Sequence, residues 1–403
     1  MDMWDIVVVG AGAAGIFAAL RAKELSPEYR VLVLEKFPKT LRKTLISGGG
    51  RCNVTHDCHD LEDLLQAYPR GGHRLEAIFL RFMPQDTIDW FEAKGVKLKT
   101  EADGRMFPVT NKSQTIADCL LHHAERLGVK IQTNTAVRRV SGRQGQFTIH
   151  TKDCEFIAKR ILLATGGASK ATNWLSEFGH ELSEDIPSLF TFCCNDPVIV
   201  DLPGVSVQNT HLRLLTEPNF ESYGPLLITH WGLSGPAILK LSAFAARVLA
   251  NRKYQAELIC DLLPEIDVPE LGRKLESQNS GKQIQSLSPF AQIPKRLWRS
   301  LTSSVQIGPK QTWGKLDQSK KAKLMDCLKS KKLRIDGKGV FKEEFVTSGG
   351  LPLHEVDVYT MESKKVPGLF IAGELLDVDG VTGGFNFQNA WATGFIAGEG
   401  LTS

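Results

Sequence analysis

Apolar positions along the chain fall into two kinds of run, and their order predicts the architecture. Short unbroken runs at residues 5–9 (DIVVV) and 30–35 (RVLVLE) are of the kind buried on both faces of a parallel sheet. Between them an alanine-rich stretch predicts a helix over 13–25, broken at Ser26 and Pro27, so the first 35 residues read as one strand–helix–strand unit. Residues 37–53 are expected to be loop, ending in the run Ser47-Gly48-Gly49-Gly50-Arg51. Helices are expected at 60–68 and 83–94, and from a Ser113 cap to Leu127 with Gly128 as the stop. Alternating runs at 135–140, 146–151 and 156–164 predict a β-meander feeding back into the sheet. Residues 187–260 are expected to be mainly β with one apolar helix at 236–249, and 263–332 polar and helical. A last strand at 369–372, a glycine-rich acidic loop to Gly384 and a helix over 386–398 close the chain.

With 403 residues the chain has room for two or three domains, and 42% hydrophobic with 23% charged residues is an ordinary globular composition. A net charge of +4 does not argue for nucleic acid or an anionic membrane as partner. The longest apolar stretch, residues 6–20, is too short to span a bilayer, and the acidic start at Asp2 and Asp5 is unlike a signal peptide. Eight cysteines without a dense framework suit a reducing compartment, so a cytoplasmic protein without a membrane span is expected. The one notable charge run is 309–342, eleven Lys or Arg against three Asp. A solvated helical face is its plainer reading, a surface for an anionic partner the sharper one.

Gly10-Ala11-Gly12-Ala13-Ala14-Gly15 follows a strand and opens a helix, the context in which a GxGxxG run is informative. Gly10 allows the tight turn, Gly12 lets backbone approach a pyrophosphate, and Gly15 lets helix pack on strand. Glu35, 20 residues beyond Gly15, is placed to accept ribose hydroxyls and would repel a 2′-phosphate, which disfavours NADP here. A glycine turn of any α/β sheet is the plainer alternative, and the run alone leaves NAD and FAD open. Two later segments favour FAD. Ile161–Leu163 leads into Ala164-Thr165-Gly166-Gly167, and LFIAGE at 369–374 leads through Asp377 and Asp379 to Gly383-Gly384-Phe385-Asn386. A ligand met by the first strand and the last helix must be as long as FAD.

The chain resembles the three-domain bacterial flavoproteins of the YhiN- or BaiN-type family, NAD(P)/FAD-dependent oxidoreductases. SGGGRCNVT at 47–55, GRMFP at 104–108, ATGG at 164–167, THWGLSGPAILKLS at 229–242 and the tail from Thr360 onward carry the resemblance, which covers nearly the whole chain. It implies an α/β fold: a Rossmann-like, glutathione-reductase-like FAD-binding domain (1–190 and 343–403) with an inserted β-barrel-like domain (191–262 and 333–342) and a small helical domain (263–332). It also implies cofactor contacts from Lys36, Lys43, Ser47, Gly48, Gly49, Gly50 and Val137. Arg51, Cys52 and Asn53 would border the isoalloxazine or pyrophosphate, Gly373 and Glu374 the ribityl or phosphate region, and Asn386 the flavin N1 and O2 edge. A helix N-terminus there favours the anionic reduced ring. This chain departs from the family in the short loop Ala168-Ser169-Lys170-Ala171-Thr172-Asn173, in Leu41 where glycine is common, and in His56 where asparagine is.

Cys52 and Cys58 invite a dithiol reading, but their spacing is one residue too long and no second GxGxxG unit follows. Cys52, His56, Cys58 and His59 match no common zinc spacing, so no metal is expected. Cys193 and Cys194 read as opposite-facing strand residues. His230, in Thr229-His230-Trp231-Gly232, is the candidate proton donor, with a structurally bonded histidine as the alternative. Arg51 is a candidate for the reacting site, and either Arg51 or Arg105 could meet an anion or simply form an ion pair. The expected activity is hydride or electron transfer through flavin N5 between a small organic substrate or NAD(P)H and an acceptor. Amine oxidation and enone reduction are both open. The rivals are a non-catalytic flavin-binding protein that docks an anionic or RNA partner on 309–342, and an NAD-dependent dehydrogenase.

Overall fold

The computed structural model describes residues 3–143, 145–167, 169–339 and 346–403, so Ala168 and the expected boundary at 342/343 lie outside the described residues. Backbone contacts divide the chain into unit 1 (Met1–Asp185 with Val346–Ser403) and unit 2 (Ile186–Phe345). Among the described residues no helix is long and apolar enough to cross a membrane.

Unit 1 opens with β1 (Met3–Val9), α1 (Ala13–Leu25) and β2 (Val31–Leu34), as the pattern predicts. β1 lies between β2 and Glu155–Leu163, and Leu369–Ile371 and Lys130–Gln132 extend the parallel sheet on either side. The meander is present as Arg139–Arg143, Gln146–His150 and Glu155–Leu163, joined antiparallel. Helix Phe385–Gly400 lies close along α1. A Cβ on Gly394 would stand 2.7 Å from the Ala14 carbonyl oxygen and one on Gly398 2.8 Å from that of Ala18. With sheet on one side and helix on the other, α1 is apolar nearly all round rather than striped.

Three local expectations change. The 37–53 stretch holds a helix, Arg42–Gly50, that leaves helical geometry at Ser47, Gly48 and Gly49. It has no apolar stripe to announce it. Ser113 does not cap its helix but is the first residue of Ser113–Arg126, and its hydroxyl donates instead to the Leu45 carbonyl at 2.7 Å. Arg74–Phe79 forms a further short helix.

Unit 2 carries a seven-stranded antiparallel sheet in the order Lys331–Ile335, Ala256–Asp261, Ser206–Leu215, Phe220–Thr229, Gly232–Ser234, Phe192–Cys193, Gly337–Lys338. Its two end strands are consecutive in the chain, so the sheet curls back toward itself. Helix Pro236–Asn251 covers it, and helices Val268–Glu276, Lys295–Ser304 and Gln318–Lys329 share the same apolar core, with Trp298 fully buried.

Candidate cofactor site

Register brings three strand ends together. Val9 pairs with both Leu34 and Leu163, and Leu163 with Ile371, so Gly10, Ala164 and Ala372 leave the sheet side by side. Gly10 has φ +110, and a Cβ there would lie 2.4 Å from the Ala164 carbonyl oxygen. One on Gly15 would lie 2.0 Å from the Gly10 carbonyl oxygen. Gly12 differs, because nothing stands within 4 Å of where its Cβ would be. Gly12 is also the N-cap of α1, with no capping side chain and no acid in the first turn. The N–H groups of Ala13, Ala14 and Gly15 thus have no partner within the helix and point from its positive end.

Glu35 is held beside this turn. Ala11 and Phe37 donate their N–H groups to its two carboxylate oxygens, each at 3.0 Å. Each oxygen keeps a lone pair for a hydroxyl. The Thr135 N–H donates to the Glu35 carbonyl at 2.7 Å, which brings the half-buried Val137 to the same edge. Lys36 is exposed, its ammonium over the Phe37 ring.

A second group of residues converges on Glu374. Its carboxylate pairs with Lys43 and accepts the Thr347 N–H at 3.2 Å, and a Cβ on Gly166 would lie 3.7 Å from it. The adjoining Gly373 N–H donates to the Thr393 hydroxyl, and Thr165 and Ser169 share a hydrogen bond at 2.7 Å. Sequence reasoning missed the strand Val346–Gly350 (VTSGG), buried throughout. Its hydroxyl-then-glycine composition is the signal that singled out Ser47–Gly50. The Ser348 hydroxyl is buried without a partner, and Gly349 is tied through its N–H to Asp377.

The SGGGRCN loop is arranged differently from expectation in its side chains. Gly48, Gly49 and Gly50 are exposed with positive φ, and the Ser47 hydroxyl donates to the Thr44 carbonyl. Arg51 pairs with Glu101 at 2.6 Å and lies over the Phe107 ring, and Arg105 pairs with Asp103 at 2.7 Å. Cys52 is buried, and burial pushes its thiol up to about 12 against the bond to Ser47, so it stays protonated. Cys52 and Cys58 are both free. The Asn53 amide, oriented to satisfy both ends, accepts the Gly384 N–H at 2.9 Å and donates to the Thr55 and Met106 carbonyls. Leu41, where the family resemblance carries glycine, takes φ +53.

At the C-terminal turn, both amide atoms of Asn386 are bonded to Gly380, at 2.9 and 2.8 Å. What remains for an anion is the backbone. Helix Phe385–Gly400 starts from Gly384 with no capping side chain and no acid in its first turn. Tyr68 fixes its start by donating to the Phe385 carbonyl at 2.7 Å, and Arg70 and Asp379 form a buried pair beneath the loop. His56 stacks on Phe385 with centroids 4.6 Å apart. Its Nε2 lies 3.1 Å from the Asp103 carbonyl, so Nε2 carries the proton and Nδ1 is a buried lone pair without a partner. Burial lowers its pKa.

All the expected cofactor residues therefore fall in unit 1, and most lie along this one edge. His230 belongs to unit 2, exposed in the turn between Phe220–Thr229 and Gly232–Ser234. The open side of Gly12, the uncapped α1, the oriented Glu35 and the partnerless atoms of His56, Ser348 and Asn389 fit a dinucleotide cofactor.

Comparison with known proteins agrees. The profile described as HI0933-like protein Rossmann domain matches residues 4–400. A ribosomal RNA dihydrouridine synthase of Escherichia coli (strain K12) is 30% identical over 416 residues, covering 100% of this chain and 98% of that protein. A 3-dehydro-bile acid delta(4,6)-reductase of Clostridium scindens is 28% identical over 405 residues, 98% of each. Among solved structures, 3-ketosteroid delta1-dehydrogenase of Sterolibacterium denitrificans shares the fold with a TM-score of 0.52 at 14% identity, covering all of both chains. The chain therefore belongs to the HI0933-like family of Rossmann-fold flavoproteins and stands among flavin-dependent oxidoreductases.

Proposed function

We propose that this chain reduces a carbon–carbon double bond conjugated to a carbonyl, using FAD held along the unit 1 edge and NAD(P)H as electron donor. The observation that carries the cofactor assignment is Gly12 facing open space at an uncapped helix start beside Glu35. The substrate class comes from what two relatives' names have in common. A uracil ring and a 3-keto-diene both present an alkene polarised by a carbonyl, so the same step serves either: hydride to the carbon at the far end of the conjugated alkene and a proton from solvent to the carbon beside the carbonyl. Bound FAD supplies that hydride at N5. The protein's own part is electrostatic: the α1 N–H groups take the pyrophosphate, Glu35 takes ribose hydroxyls, and the uncapped helix Phe385–Gly400 favours negative charge.

The test is the visible spectrum of purified protein, followed anaerobically with NADH or NADPH and then with a 4-en-3-one steroid or with ribosomal RNA. Flavin absorbance should bleach with the nucleotide and return with one of the two acceptors, the arm that responds naming the substrate. A colourless protein, or a reduced one that neither acceptor reoxidises, overturns the reading.

A further inference from the structure

The basic run 309–342 changes meaning once its partners are visible. From Lys321 onward its cations are largely neutralised: Lys321 by Glu276, Lys329 by Asp261, Lys331 by Asp196, Lys332 by Glu257 and Arg334 by Asp336. The preceding stretch 277–316 contrasts with it. It contains no Asp or Glu at all and carries Lys282, Lys295, Arg296, Arg299, Lys310 and Lys315. All six are exposed, and among the described residues none lies within 4.0 Å of a carboxylate.

Four of the six border one strap. Segment 280–284 runs antiparallel to 311–314, with Ile284 donating to Gln311, Trp313 to Lys282 and Gly314 to Ser280. On its other side Trp298 donates to the Ile284 carbonyl, and the Arg299 guanidinium reaches the Gln285 carbonyl. Lys282, Arg299, Lys310 and Lys315 are thereby brought around the same strap. Lys295 occupies the first turn of helix Lys295–Ser304, where the dipole disfavours a cation, whereas the neighbouring Arg296 donates to the Asp201 and Pro203 carbonyls at 2.8 and 3.3 Å.

We infer that the 277–316 surface of unit 2 docks RNA, an inference that rests on the uracil arm of the proposed function. Unpaired cations would meet phosphates, and the uncharged Gln278, Asn279, Ser280, Gln283 and Ser286 between them can bond sugar and base edges. A membrane surface would need exposed apolar anchors among the cations, and among the described residues Leu287 is the stretch's one exposed large hydrophobic side chain.

The test measures binding of full-length, FAD-loaded protein to a fluorescent ribosomal RNA transcript across a salt series. Lys282→Gln/Lys310→Gln/Lys315→Gln is compared with a charge-matched control, Lys321→Gln/Lys332→Gln/Arg334→Gln. The first variant should bind at least ~10-fold more weakly, with a log–log salt slope shallower by roughly one per lysine removed. The control should stay within about 3-fold, and both should keep the flavin spectrum. Equal losses in the two variants overturn the inference. So does a wild-type protein that binds anionic phosphatidylglycerol vesicles but not the transcript. If RNA is not bound while an enone is still reduced, this inference fails and the proposed function stands. If RNA is bound through these lysines by a protein that reduces neither acceptor, the reverse holds.

Discussion

At Gly12 a side chain would meet open space, whereas at Gly384 a Cβ would stand 2.4 Å from the Thr55 carbonyl oxygen on a backbone with φ +99. Both residues precede a helix that no side chain caps. The turn around Gly12 leaves its backbone clear, and its one carboxylate is held at the side by N–H groups of its own loop. The turn around Gly384 is closed over by protein: Asn53 on the Gly384 N–H, Tyr68 on the Phe385 carbonyl, Asn386 on Gly380 and Arg70 on Asp379. Similar local chemistry thus serves as a cradle at one chain end and as a clamp that aims a helix at the other. If so, substitutions at the clamp should cost folding, and at the open point of the cradle only the cofactor.

The largest effect is expected at Gly384→Ala. Positive φ and the close Thr55 carbonyl combine strain with overlap, and the loss should reach about 4 kcal/mol or more. Denaturant unfolding measures it, and a loss under about 1 kcal/mol would dissolve the contrast with Gly12. Next is Asp379→Asn, which leaves the Arg70 guanidinium facing a neutral amide, with side-chain exposures of 9% and 0% for the original pair. Removing one partner of a buried pair costs about 3–5 kcal/mol. If unfolding midpoints barely move, the clamp does not rely on that pair.

A smaller effect, visible only on acidification, belongs to His56, packed on Phe385 at the clamp. Burial lowers its folded pKa below the unfolded value. Above the unfolded pKa, about 6.5, the imidazole is neutral in both states and its contribution is complete. As pH falls below that value the unfolded chain takes up the proton first, and the contribution is lost progressively until the folded pKa is passed. Unfolding curves at pH 7.5 and 5.5 should therefore show wild type losing more stability than His56→Asn. Parallel losses would mean that His56 does not titrate differently on folding.

The contrast also explains which parts were legible in the sequence. The β1–α1–β2 unit and the place of Glu35 followed from period and spacing, because glycine and a short apolar run report demands that act within a few residues. The clamp depends on partners far along the chain. Thr55 and Thr87 both donate to Gln388, 333 and 301 residues away, and Arg70 meets Asp379 across 309. Such pairings leave no period, so the sequence points the Asn386 amide at the flavin and gives no sign that Gly380, six residues back, bonds both of its ends. For Arg51 the sequence leaves an anion and an ion pair both open, and the structure shows the ion pair, with Glu101 50 residues on. The helix Arg42–Gly50 escaped notice because only Thr44 is buried in it, leaving no stripe to recognise. His56 stands out in the sequence as a departure from the family and as a member of a metal-like cluster that fits no zinc spacing, and its stacking on Phe385 needs the fold.

The smallest effect on folding, and the one that tests the cradle most directly, is expected at Gly12→Val. Its φ of −86 lies in the ordinary range, and beyond its two chain neighbours no protein atom stands within 4 Å of the Cβ position, so the added methyl groups point into open space. Glycine is a moderate N-cap and valine a poor one, so the helix start should lose no more than about 1 kcal/mol. Cofactor retention is another matter, because the same methyl groups stand where a pyrophosphate must approach the N–H groups of α1. The variant should purify folded, with an unfolding midpoint near that of wild type stripped of its flavin, and colourless. A yellow, folded Gly12→Val protein would place the phosphates elsewhere and remove the distinction between the two turns. A colourless but unfolded one would show that Gly12, like Gly384, is required by the protein's own packing.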